Sequence, residues 1–156
     1  IRDRPNHFVE LDPRTDCRAL IATPRVVAAR NLGSGDLESS GALDALAEVE
    51  STGSGEARLA EIDVTQLEVR VTGSGDLMLA GCVSSLDIES TGSGSVLAAR
   101  VAAHDATVKV TGSGDVEIAA SGELDIEITG SGDVYVDGRP DSLHVSTPGS
   151  GRVIFQ

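Results

Sequence analysis

The sequence predicts an all-β protein, a single-stranded parallel β-helix or β-solenoid of about seven coils of 18–20 residues. A right-handed sense is the default for parallel crossovers. Three observations carry this expectation. First, Gly-Ser-Gly recurs seven times, beginning at Gly33, Gly53, Gly73, Gly92, Gly112, Gly130 and Gly149, at steps of 18–20 residues. Such a period marks one supersecondary unit that stacks on its neighbours to bury a shared core. Second, apolar and polar residues alternate between the turns, the period-two pattern of a half-buried strand. Third, the position three before each first glycine holds Arg30, Glu50, Arg70, Glu89, Lys109 and Glu127, then Ser146.

Taken in chain order, residues 1–26 lack the glycine corner and hold three of the five prolines, so they read as an N-terminal lead-in that caps the first coil. Residues 27–156 form the solenoid. The strand entering each corner is apolar on one face: Leu67, Val69 and Val71 in the third copy, Leu124, Ile126 and Ile128 in the sixth. The strand leaving it repeats the pattern with Leu77 and Leu79, Val116 and Ile118, Val134 and Val136, Val153 and Phe155. An antiparallel meander would show the same alternation. The charge column decides for parallel stacking, because alternating signs help only if equivalent positions of successive copies lie side by side. Each coil is then expected to have two regular strands meeting at the corner and a third, irregular side that absorbs the differences in length.

The corners take 14 of the 18 glycines, as at Gly73-Ser74-Gly75 and Gly112-Ser113-Gly114, and the other four, Gly41, Gly81, Gly122 and Gly138, fall where a second bend belongs. The serine column is expected to hydrogen-bond along the stack and keep the corner in register.

Composition narrows the function. A net charge of −13 repels a phosphate backbone, so nucleic acid is not an expected partner. No apolar run approaches the ~20 residues of a spanning helix, so direct membrane insertion is not expected either. The chain opens on Ile1 with neither a start methionine nor a signal-like segment, which reads as a mature or trimmed form. Phe8, Tyr135 and Phe155 are its only aromatic residues, too few for a pocket that stacks flat ligands. Cys17 and Cys82 match no metal spacing. They read as two buried thiols rather than a disulfide, since the register separates them by several strand spacings.

The candidate chemistries are few. The acidic column after each corner, Asp36, Glu56, Asp76, Asp115 and Asp133, invites a row of calcium sites, with Asp76, Asp115 and Asp133 as candidate ligands. The preferred reading is that each carboxylate accepts backbone N–H groups of its own turn, with no metal and no cofactor. A phosphate cradle needs a helix after the glycines, and here a strand follows. His7, His104 and His144 stand in unrelated contexts, and a nucleophile is not needed seven times, so no catalytic residue is assigned. The rank Thr52, Thr72, Thr91, Thr111 and Thr129 offers a hydroxyl array of the ice-binding kind, but Thr is also a good strand residue.

The outward position five after each first glycine differs: Glu38, Arg58, Met78, Leu97, Glu117, Tyr135 and Ile154. Met78, Leu97, Tyr135 and Ile154 form the candidate interaction surface. With the strand edge expected at the end of the seventh coil, near Gln156, this stripe predicts self-association, making a homo-oligomer the expected state.

The repeated words "VTGSGDLML", "VTGSGDVEI" and "ITGSGDVYV" resemble the bacterial auto-transporter adhesin family of the head GIN domain, over about residues 23–156. Leu32 and Pro148 depart from the Thr of that motif, and Glu56, Ser95 and Arg152 from its Asp. The resemblance implies a β-helix, location in the bacterial cell envelope (periplasmic or extracellular), and a role in surface adhesion or polysaccharide interaction, with no catalytic residues. Together these readings predict a non-enzymatic adhesin or surface scaffold with an envelope protein or surface polysaccharide as partner. The alternative is a polysaccharide-binding β-helix.

Overall fold

The computed structural model describes residues 25–156, so most of the lead-in expected over residues 1–26, including His7, Phe8 and Cys17, lies outside the described residues. The described residues form strands and turns without a helix: β1 (Ala28–Asn31), β2 (Leu37–Glu38), β3 (Glu48–Ser51), β4 (Ala57–Val71), β5 (Leu77–Ser90), β6 (Val96–Val110), β7 (Val116–Ala120), β8 (Glu123–Ile128), β9 (Val134–Asp137), β10 (Ser142–Ser146) and β11 (Val153–Phe155). Every ladder between them is parallel. Seven Gly-Ser-Gly corners link the strands into stacked coils, and the chain is the β-solenoid its repeats predict. The charge column emerges in register: Arg30 pairs with Glu50, Glu50 with Arg70, Arg70 with Glu89, Glu89 with Lys109, and Lys109 with Glu127.

Alternation decides which residues fill the interior. Leu67, Val69 and Val71 of β4, Leu86 and Ile88 of β5, Val108 and Val110 of β6, and Leu124, Ile126 and Ile128 of β8 are all buried. Val96, Val116 and Val134 fill the same column on the far side of the corner. Each such side chain contributes about 1.5–3 kcal/mol relative to exposure. Three described buried positions are polar: Asn31 donates from Nδ2 to the Gly35 carbonyl at 3.0 Å, whereas the hydroxyls of Ser51 and Ser90 have no hydrogen-bond partner.

The corners are glycine because coils touch there. A Cβ on Gly73 would lie 1.9 Å from the carbonyl oxygen of Gly53, and one on Gly112 equally close to that of Gly92. That carbonyl accepts two N–H groups from the next coil: Gly53 O takes Ser74 N at 3.1 Å and Gly75 N at 3.2 Å. The pattern recurs at Gly92 O with Ser113 N and Gly114 N. Register at the corner is therefore set by backbone. The expected serine hydroxyl ladder is corrected accordingly: among the described residues it comes down to Ser74–Ser93 at 3.4 Å, because the exposed hydroxyls point away from the stack.

The third side also differs from expectation. Through β4, β5 and β6 it is a continuous strand rather than an irregular segment, because Ile62, Val83, Val101 and Ala103 keep filling the interior. Length differences are taken up by register shifts, between Leu59 and Ile62 and between Met78 and Ala80. Within the first of these, Glu61 adopts a left-handed φ of 57°. Of the four second-bend glycines, Gly41, Gly81 and Gly138 have left-handed φ, whereas Gly122 is held by close side chains of His104 and Asp105.

Candidate interaction surface

The strand leaving each corner presents three outward rows. The first is the acidic column. Its four aspartates each accept an N–H from the following coil, not from their own turn as expected: Asp36 from Glu56, Asp76 from Ser95, Asp115 from Asp133 and Asp133 from Arg152, at 2.8–2.9 Å, whereas the Glu56 carboxylate takes Arg58 of its own coil. The residue sits just ahead of its own strand, where the ladder leaves the next coil's amide facing it. The column therefore staples coil to coil. Asp76, Asp115 and Asp133 stand one or more coils apart with Oδ1 of each engaged this way, and among the described residues no three His, Cys, Asp or Glu side chains gather into a cation site.

At the end of the column Arg152 donates through its guanidinium to Asp133 Oδ2 at 2.7 Å. That side-chain bond, and after it the Arg152 amide, hold the Asp133 carboxyl below the usual carboxylate range.

The second row is the predicted stripe, and the structure assembles it as one ladder: Glu38 beside Arg58, Arg58 beside Met78, Met78 beside Leu97, Leu97 beside Glu117, Glu117 beside Tyr135, and Tyr135 beside Ile154. Glu38 and Arg58 are exposed and the rest are half-buried, each leaning on its column neighbours. Arg58 donates to Glu56 at 2.9 Å.

A third, broken row escaped the sequence reading. Ala60, Ala80, Ala99 and Ala119 follow two residues after the stripe positions in four consecutive coils, the last three half-buried. The register shifts fall here, so the ladders do not pair these alanines with one another, and Ala80 lies beside the exposed Arg100. Counting two further along each strand would have found the alanines but not their register.

The strand entering each corner is different in kind. Its outward residues are mostly charged, with Arg30 bonded to Glu48 at 3.1 Å and Glu50 at 3.3 Å, and Arg70 to Glu68 and, at 3.6 Å, to Glu89. Glu48, Glu68 and Asp87 are direct ladder neighbours, an acidic run that Arg30 and Arg70 relieve from the adjoining row at Glu48 and Glu68.

On the third side Cys82 is a free thiol but exposed, against the buried thiol expected, because it takes an outward position beside Asp63 on that side's strand. It borders a shallow depression with Ser84, His104 and Ser121. His104 Nδ1 lies 3.5 Å from Ser121 Oγ, a neighbour one coil on that sequence spacing did not reveal. The adjacent Asp105 carboxylate accepts the Glu123 amide at 2.9 Å instead of orienting the imidazole, so the three groups do not form a catalytic relay.

These features define a parallel β-solenoid repeat protein with one ion-laced face and one part-apolar face. The chain belongs to the family described as "Putative auto-transporter adhesin, head GIN domain", whose model matches residues 3–140. Among solved structures it is similar to a putative adhesin from Bacteroides fragilis NCTC 9343, with a TM-score of 0.74 and 27% identity over 78% of this chain. The match spans 56% of that protein's chain. No curated protein matches. Among the described residues no helix is long and apolar enough to cross a membrane.

Proposed function

We propose that the chain is a non-enzymatic interaction domain of the bacterial cell envelope, periplasmic or extracellular, which adheres to an envelope protein or surface polysaccharide and self-associates through the outward face of the strands that leave the corners. The observation that carries this reading is the continuous ladder of Met78, Leu97, Glu117, Tyr135 and Ile154, where the strands entering the corners present mostly charged residues instead. Large apolar side chains aligned along stacked coils form a contact surface rather than scattered exposure. Membership of an adhesin family supports it.

The test is retention of the purified chain on native envelope fractions and on a glycan array. Met78→Lys and Tyr135→Lys are expected to weaken retention at least about tenfold, while Thr111→Lys, exposed beside a corner, leaves it unchanged. Equal behaviour of the three variants would remove the face from the function. Retention on glycans alone would give the same face to polysaccharide.

A further inference from the structure

The stripe has an internal order that a row of solvated residues does not need. Numbering the coils by their corners, it holds Glu38, Arg58, Met78, Leu97, Glu117 and Tyr135 in coils one to six. Reversed about the midpoint between Met78 and Leu97, this row complements itself: Arg58 falls opposite Glu117, Met78 opposite Leu97, and Glu38 opposite the hydroxyl of Tyr135. We propose that two copies of the chain pack through this face with their solenoid axes antiparallel, related by a two-fold axis that runs along the strands between coils three and four. The proposal rests on the self-association put forward above and specifies its surface, orientation and register.

A two-fold interface is isologous, so every contact occurs twice. The alternative face-to-face arrangement, with axes parallel, sets each coil against its own equivalent. Arg58 would meet the partner's Arg58, and Glu117 the partner's Glu117, at the cost of like charges in contact. The charges therefore choose the antiparallel arrangement.

The flanking rows agree at the centre. In the acidic column Ser95 replaces Asp in coil four, so Asp76 faces the hydroxyl of the partner's Ser95 instead of a second carboxylate. On the other flank the small Ala80 and Ala99 leave room for two sheets to approach to the ~10 Å of ordinary sheet packing, with the exposed Arg100, which the register sets level with Ala80, at the rim of the contact. Two pairings are unfavourable, Glu56 opposite the partner's Asp115 and Asp36 opposite the partner's Asp133. All four carboxylates are already engaged, Glu56 by Arg58 at 2.9 Å, Asp115 by the Asp133 amide at 2.8 Å, Asp36 by the Glu56 amide at 2.9 Å and Asp133 by the Arg152 guanidinium at 2.7 Å.

Sedimentation equilibrium of the purified chain across the micromolar range tests this, with Arg58→Glu, Glu117→Arg and the double exchange. The wild type is expected to dimerise. Each single reversal places like charges at two symmetry-related contacts and is expected to raise the dimer dissociation constant at least about tenfold, and the double exchange to bring it back within about threefold. The Arg58 side chain is 57% exposed, so Arg58→Glu is expected to fold; Glu117→Gln is the milder variant at the half-buried position, with an intermediate loss, should Glu117→Arg unfold.

A monomeric wild type overturns both this proposal and the self-association it rests on. A dimer indifferent to all the charge variants leaves self-association standing and overturns this face. Loss in both single variants without recovery in the double exchange overturns the antiparallel register.

Discussion

At the scale of single residues, the corner distinguishes atoms that touch the next coil from atoms that do not. Gly114 packs so tightly that a Cβ would lie 2.0 Å from the carbonyl oxygen of Gly94, and backbone cannot yield that distance without breaking the adjoining ladder. Ser113, between two such glycines, contributes its N–H to Gly92 O while its exposed side chain points to solvent. Gly114→Ala is therefore expected to destabilise the fold by about 3 kcal/mol or more, and Ser113→Ala to change it by less than about 0.5 kcal/mol. Thermal or urea unfolding followed by circular dichroism separates the two, and comparable losses at both positions would return the corner's register to the hydroxyl. The same contrast holds in the interior, where what matters is whether a polar atom finds a partner. Ser51 and Ser90 stand in a column shared with Val71 and Val110, and each buried hydroxyl without a partner costs about 1–3 kcal/mol.

At the scale of strands, stability comes from coil-to-coil staples placed where the ladder of backbone bonds is interrupted. The acidic column supplies these just ahead of β2, β5, β7 and β9, and its last carboxylate is the most strongly held. Because Asp133 is bonded by Arg152 in the folded chain, its carboxyl titrates below its unfolded value of about 3.9. The sign follows: a group whose folded value is lowered contributes stability that is whole above the unfolded value and disappears as pH falls through the folded one. The difference in unfolding free energy between the wild type and Asp133→Asn is thus expected to be constant between pH 6 and 8, to shrink below about pH 4, and to level off once both states are protonated. A difference that grows on acidification would contradict the bond. The acceptor role of this column, from one coil to the next, was not visible in the sequence, since an Asx turn within one coil places Asp at the same position.

For the whole molecule, what could be read in advance was whatever depends only on counting. Stacked coils convert a sequence offset of 18–20 residues into side-by-side contact, so the charge column, the stripe and the buried faces were legible from the repeat, and the ladders place them as counted. What depends on local backbone choice was not legible. The register shift at Glu61, the continuous third side and the exposure of Cys82 all turn on which residue slips outward when one coil is longer than the next. Charge is again a matter of composition, and it acts on the molecule as one body. The chain carries 25 acidic residues against 12 basic ones, and the run Glu48, Glu68 and Asp87 holds carboxylates on adjacent strands at a spacing of about 4.8 Å. The ion pairs of Arg30, Arg58 and Arg70 are exposed and individually weak, so repulsion outweighs them at low ionic strength. Raising NaCl from about 10 to 150 mM shortens the screening length from roughly 30 to 8 Å and is expected to raise the melting temperature by a few degrees. Asp87→Asn removes one member of the run and should raise the melting temperature in low salt while diminishing the response to added salt. A melting temperature that falls with salt would mean that the alternating ion pairs, not the excess of carboxylates, dominate the electrostatics of the stack.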